Sequence, residues 1–389
     1  MVDLNNHPVV LVMAIAVIAP LLAEIPIGFR LPTVMLEMVL GIVVGPQVLG
    51  LVQGGGLLGW MGTTFGLGAL FFNAGLELDL RRVRGRPLSL AACGWLLSLA
   101  LGLTAAGFLY KLSLIHSPLI VAMALTTTAI GTILPILRDG GELGSEFGRF
   151  TLAAGAMGEF GPIVVVSLFL TPGQGSWLQI GSMLGLVVIT FLAALAVLSV
   201  KSPKVLELLN RTMYSSTQLP VRLSILLITF LFVLSETLGI EAVLGAFAAG
   251  MIFRVATRGE GSKLMYEKMD AVCFGFMVPF FFVTSGINFD LGALWHSAQA
   301  MLLIPVFLIL LLVVRGAPVF LYRHDLAKGE RLSFALYTAT ALPMVVAITH
   351  IGVQIGQMQS DISAAMVGAA MLSVLLFPAI AGSLRAKRA

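Results

Sequence analysis

Apolar side chains follow one another along this chain in stretches of about twenty, separated by short breaks where charge, glycine and proline collect. A hydrocarbon core of roughly 30 Å needs about 20 apolar helical residues per crossing, so each stretch reads as a transmembrane helix. Runs such as 301–314 do not alternate between apolar and polar positions, as the strands of a closed barrel would. The expected fold is an all-α polytopic membrane protein of about thirteen helices. The predicted spans lie near 8–25, 32–50, 57–77, 87–110, 118–137, 150–171, 177–199, 220–238, 240–253, 272–288, 298–322, 332–352 and 362–384.

Composition agrees with that pattern: 58% of the 389 residues are hydrophobic and 11% charged, and the mean hydropathy is +1.02. A chain with a water-facing surface does not reach such values. The net charge of +4 could suggest an anionic partner, but its placement points to a membrane. With the N-terminus outside and the C-terminus inside, the loops expected in the cytoplasm gather Arg30, Arg81–Arg86, Arg138, Arg149, Lys201–Arg222, Arg254–Lys268, Arg323–Arg331 and Arg385–Arg388. Of the 23 basic residues only Lys111 then lies outside, and Arg315 falls within a span. The basic surplus faces the lipids of the cytoplasmic leaflet, and nucleic acid is not implied. Cys93 and Cys273 sit in apolar stretches without metal spacing and read as packing residues. Residues 1–7 lack the basic start of a signal peptide, so the first apolar run is expected to remain as a helix.

Segments recur along the chain. Val39-Leu40-Gly41 to Gly45 returns as Val243-Leu244-Gly245 to Gly250, Phe71-Phe72 to Asp79-Leu80 as Phe281-Phe282 to Asp290-Leu291, and Ala124-Leu125-Thr126-Thr127-Thr128 as Ala335-Leu336-Tyr337-Thr338-Ala339-Thr340. The offsets, about 204 for the first and about 211 for the others, join spans two, three and five to nine, ten and twelve. An odd separation of seven spans reverses direction through the bilayer, which is the inverted repeat of many secondary transporters. Residues 1–389 then form a single membrane domain, with repeat units at about 32–171 and 240–384 linked through 177–238 and no soluble C-terminal regulatory domain.

Such transporters bind substrate near the midplane, where paired helices break. Spans five and twelve combine clustered threonine with a later proline: Thr126, Thr127 and Thr128 before Pro135, and Thr338 and Thr340 before Pro343. Hydroxyls and freed carbonyls make hard oxygen ligands for Na⁺ or K⁺, although the same residues also suit an ordinary kinked packing helix. Glu159, within Gly155-Ala156-Met157-Gly158-Glu159-Phe160-Gly161, lies mid-span, where an ionisable residue costs about 3 kcal/mol to insert. A carboxyl in that place can hold a proton or a cation in turn. Glu37 and Glu77 lie nearer the membrane faces and read as structural. Arg315 either snorkels to the cytoplasm or pairs with Glu159 when no cation is bound. His350 reads as a solvated residue near a helix end. There is no phosphate loop, zinc spacing or nucleophile elbow, so no enzyme and no cofactor is expected, and an ion gradient must supply the energy.

The same residues resemble the monovalent cation:proton antiporter-2 family of bacterial sodium/proton and potassium-efflux antiporters. Leu31-Pro32 through Val39-Leu40-Gly41 to Gly45-Pro46-Gln47-Val48-Leu49-Gly50 is similar to its second-helix signature, and Phe71–Asp79, Gly245–Gly250 and Pro279–Gly286 are similar to others. The resemblance implies thirteen helices, a mobile core with two crossed discontinuous helices, and a homodimer scaffold around spans two and nine, in a bacterial inner membrane. It also implies that Glu159 stands where the family carries its essential acid, usually aspartate, and that Arg315 is its basic partner. Gly158 departs from the polar residue usual before that acid. Gating by a nucleotide-sensing domain would need a separate regulatory subunit. The expected function is exchange of Na⁺ or K⁺ for protons with Glu159 as the shared carboxylate. Arg315 does not practically deprotonate, so the exchange should be electroneutral. The alternatives are an organic-anion symporter on a similar scaffold and a transport-silent membrane sensor or subunit.

Overall fold

A computed structural model describes residues 8–25, 32–77, 85–139, 141–169, 181, 185, 188, 207–208, 211–238, 242–256 and 262–386. All the regular structure among them is helical: α1 (Pro8–Ala23), α2 (Thr33–Val44), α3 (Gly56–Trp60, a π-helical stretch Met61–Leu67, then Gly68–Glu77), α4 (Arg86–Lys111), α5 (Pro118–Leu125), α6 (Ile130–Asp139), α7 (Glu146–Phe169), α8 (Leu219–Thr237) and α9 (Ala242–Ala256). There follow α10 (Ser262–Val272, a π-helical stretch Cys273–Met277, then Val278–Ile287), the short α11 (Leu291–His296), α12 (Ala298–Gly316, running on as a 3₁₀ turn Ala317–Tyr322), α13 (Arg331–Ala339), α14 (Pro343–Gln354) and α15 (Ser360–Ala386).

Among the described residues eight helical segments are long and apolar enough to cross a membrane, 8–23, 33–44 and 242–254 form shorter apolar helices, and 118–134 is a shorter apolar segment interrupted at 126–129. Rows of large apolar side chains face outward, such as Leu223, Leu226, Phe230 and Val233 on α8 and Leu302, Ile309 and Val313 on α12. Water does not tolerate such faces and lipid does, so the chain is a membrane protein. Apart from residues 181, 185 and 188, the expected span at 177–199 lies outside the described residues, as do residues 1–7 and the basic residues Arg30, Arg81, Arg82, Arg84, Lys201, Lys204, Arg258, Lys387 and Arg388.

Several boundaries differ from those expected. The second span ends at Val44, because Gly45-Pro46 turns the chain into a loop. The tenth begins ten residues early, at Ser262, on a polar helical stretch of 11 residues that continues into the apolar part. Cys93 is exposed on the apolar outer face, whereas Cys273 is buried.

The helices gather into two bundles. In one, α2 packs on α10, α3 on α9 and α10, and α8 and α1 flank them; in the other, α4, α5, α6, α7, α12, α13, α14 and α15 surround one another. Glycine makes the first bundle close. A Cβ on Gly41 would fall on the Val283 carbonyl oxygen, and one on Gly286 on the Met38 carbonyl oxygen. A Cβ on Gly250 would likewise fall on the Phe72 carbonyl oxygen, and one on Gly75 on that of Phe247. These helices therefore touch backbone to backbone. Each π-helical stretch stands a few residues before a phenylalanine pair, Phe71-Phe72 or Phe281-Phe282, and the two stretches contact each other.

Candidate functional site

The second bundle holds two interrupted helices. α5 ends at Leu125 and α6 begins at Ile130; α13 ends at Ala339 and α14 begins at Pro343. The breaks cross, and the Ala129 amide donates to the Thr340 carbonyl at 2.8 Å. Neither break leaves its backbone to lipid, where an unmatched amide costs several kcal/mol.

Local chemistry explains where the helices stop. Thr126 and Thr127 donate their hydroxyls to the carbonyls of Met123 and Ala124, each at 2.8 Å, which draws the end of α5 into a tight turn. Pro343 has no amide to carry α13 onward, and its ring starts α14. Pro135, by contrast, lies within α6. The first interruption therefore belongs to the threonines and the crossing rather than to the expected proline.

α7 supplies the next layer. Pro162 lies inside it and has no N–H for the carbonyl four residues back, that of Gly158. That carbonyl instead accepts the Thr128 amide at 3.2 Å, which seats the crossing on Gly158 and puts Glu159 next in the chain. Glu159 is 9% exposed. Across the crossing, Ser373 of α15 engages both polar groups of the Ala341 backbone at 3.0 Å.

Arg315 reaches in from α12 and is 3% exposed, so it does not snorkel to an aqueous face. Its Nε donates to Thr128 Oγ1 at 2.9 Å, Nη1 to Ser98 Oγ at 3.3 Å and Nη2 to the Ala154 carbonyl at 2.9 Å. Thr128 donates onward to the Thr338 carbonyl at 2.5 Å, and Thr338 donates back to the Arg315 carbonyl at 3.1 Å. Thr340 donates to Leu336 at 3.0 Å. All five predicted threonines, with Glu159 and Arg315, are buried in the bundle that contains the crossing.

Sequence reasoning missed Ser98, Pro162 and Ser373. The spacing of Pro162 four residues after Gly158 was a readable signal; the two serines gave none. Glu37 is buried, and among the described residues its Oε2 has no hydrogen-bond partner. His350 is half-buried, contacts Gln354 at 2.9 Å and lines a cavity of about 400 Å³. That cavity lies between the two bundles, with Thr63 and Thr284 on one wall and Thr349 and Ser363 on the other. It is at the end of α15 opposite Arg385, and Val346, one turn past Pro343, lies in its wall. At the Arg385 end, that residue bonds Glu142 at 2.6 Å and Glu330 at 3.4 Å and lies over the Phe147 ring.

The family model described as "Sodium/hydrogen exchanger, transmembrane" matches residues 13–384. A putative Na⁺/H⁺ antiporter of Bacillus subtilis, YjbQ, is 25% identical over 395 residues, covering 95% of this chain and 61% of its own length. The Na⁺/H⁺-K⁺ antiporter GerN of Bacillus cereus is 24% identical, covering 92% of this chain and 91% of its own. The chain thus spans about three-fifths of the first relative and nine-tenths of the second. The structure of the sodium proton antiporter MjNhaP1 from Methanocaldococcus jannaschii at pH 8 shares the fold, with a TM-score of 0.65 at 17% identity over 97% of each chain.

Proposed function

Because the chain belongs to the sodium/hydrogen exchanger family, we propose that it exchanges a monovalent cation, Na⁺ or K⁺, for protons across a bacterial inner membrane, with Glu159 holding proton and cation in turn. The observation that carries this reading is a buried carboxyl next to Gly158, whose carbonyl bears the crossing of two broken helices. Helix ends leave carbonyls and amides without intrahelical partners, and such a place can strip a cation of water. Thr126, Thr127, Thr338 and Thr340 donate their protons to helix carbonyls. Their lone pairs are then the ones to turn toward a cation.

Proton and cation compete for one carboxyl, so each excludes the other, and only loaded states cross. Arg315 keeps its charge throughout. Exchange is then one-for-one and electroneutral. The bundle with the crossing is the moving part, and the glycine-paired bundle is the scaffold and homodimer face. The cavity between them supports access from the end opposite Arg385, which we take as the outside. The two halves form an inverted repeat, with N-terminus outside and C-terminus inside. The family match favours neither organic-anion symport nor a silent sensor.

The test is transport by the purified protein in liposomes carrying an internal pH dye. An imposed pH gradient should collapse on addition of Na⁺ or K⁺, with no current and no response to voltage alone. Measurable current during exchange would refute electroneutrality, and indifference to every alkali cation would refute the exchange itself.

A further inference from the structure

Every nitrogen of the Arg315 guanidinium is held by a neutral oxygen: Thr128 Oγ1 at 2.9 Å, Ser98 Oγ at 3.3 Å and the Ala154 carbonyl at 2.9 Å. The two hydroxyls are fixed in turn, Thr128 by donating to the Thr338 carbonyl and Ser98 by donating to the Val314 carbonyl at 2.8 Å. Both are fully buried. Gly158 makes the space: a Cβ there would lie 2.7 Å from Nη2 of Arg315 and 2.5 Å from Thr128 Oγ1. Four elements, α4, the α5–α6 break, α7 and α13, are thereby tied to one charge on α12.

We propose that Ser98 and Thr128 are positioning residues that fix Arg315 above Gly158 as the resident positive charge of the helix crossing, and that Thr128 is therefore not a ligand of the transported cation. An oxygen accepting a guanidinium proton at 2.9 Å has its lone pair aimed at one cation already. A second cation on the same oxygen would meet that charge at close range in a site that screens poorly. Thr126 and Thr127 differ, because their hydroxyls donate to the Met123 and Ala124 carbonyls and, among the described residues, no cationic side chain donates to them. The roles of Ser98 and Thr128 at Arg315 are independent of the exchange reading; only the statement about the transported ion rests on it.

The decisive experiment is thermal unfolding of the purified protein in detergent, comparing Ser98→Ala, Thr128→Val and Thr128→Ser with and without Arg315→Met. With Arg315 present, Ser98→Ala and Thr128→Val should each lower the unfolding midpoint by several degrees, and Thr128→Ser should restore most of it. Without Arg315 the drops should at least halve. Equal drops in both backgrounds would overturn the assignment. If the Arg315→Met background does not fold, Arg315→Lys, which keeps the charge but loses the planar fork, takes its place with the same expectation. Transport in liposomes tests the second half. Ser98→Ala and Thr128→Val should shift the pH midpoint of exchange in the same direction, the double variant no further than the larger single, with the cation KM unchanged at its plateau. A KM raised tenfold or more by Thr128→Val, with Ser98→Ala silent, would return Thr128 to the cation. Should the wild type exchange nothing, the exchange reading fails and the unfolding series still decides whether Arg315 is clamped.

Discussion

At the scale of the residue, the proposed site consists of one acid, one permanent cation and a glycine that lets the cation lie close. Gly158→Ala should displace either the Thr128 hydroxyl or the Arg315 guanidinium, since its new methyl would stand 2.5 and 2.7 Å from them. The expected result is at least a tenfold loss of turnover with a lower unfolding midpoint; wild-type turnover would show that the close approach is dispensable. Glu159 and Arg315 were legible in the sequence because charge is rare inside membrane spans, so each stands out without any knowledge of its neighbours. The acceptors of Arg315 were not legible. Ser98 is one of many small polar residues on apolar helices, and only packing brings it to a residue 217 positions later. For the same reason sequence could offer Glu159 as the partner of Arg315 but could not supply Ala154, whose contribution is a backbone carbonyl.

At the scale of the element, proline and threonine decide where helices stop, though not always at the expected places. Pro162 frees the Gly158 carbonyl for Thr128. Pro162→Ala would return an amide to α7 that competes for that carbonyl, and turnover should fall several-fold while cation preference is kept. A liposome exchange series across Na⁺, K⁺ and Li⁺ checks both parts, and a change of preference without loss of rate would contradict this role. The repeated segments were visible in sequence, but their spacing was not fixed by it. Contacts place Gly250 and Phe247 in the roles of Gly41 and Met38, an offset of about 209, while apolar letters alone suggested about 204. Helices rich in Ala, Gly, Leu and Val match themselves at several registers, and backbone contact is what selects one. Gly41→Ala should cost about 1–3 kcal/mol by forcing α2 from α10, seen as a lower unfolding midpoint. An unchanged midpoint would mean that the helices separate freely.

At the scale of the whole molecule, the all-helical membrane class and the positions of the long apolar helices among the described residues could be read from the chain, because a bilayer imposes length and hydrophobicity on every crossing. Division into two bundles could not, since lipid-facing and bundle-facing positions are both apolar and periodicity does not separate them. The bundles meet along the cavity and at a few points, among them the rings of Phe160 and Phe247, with centroids 5.1 Å apart and planes tilted by 31°. The proposed exchange by relative motion of these bundles would require a single carboxyl to cross loaded with either ion and never empty. The most direct measurement is collapse of an imposed pH gradient by Na⁺ or K⁺ in liposomes, comparing wild type with Glu159→Gln and Glu159→Asp. The expected result is collapse in the wild type, a measurable remnant in Glu159→Asp and none in Glu159→Gln, whose amide holds neither a titrating proton nor a charge for the cation. Undiminished exchange by Glu159→Gln would contradict the assignment of Glu159 as the shared carboxyl.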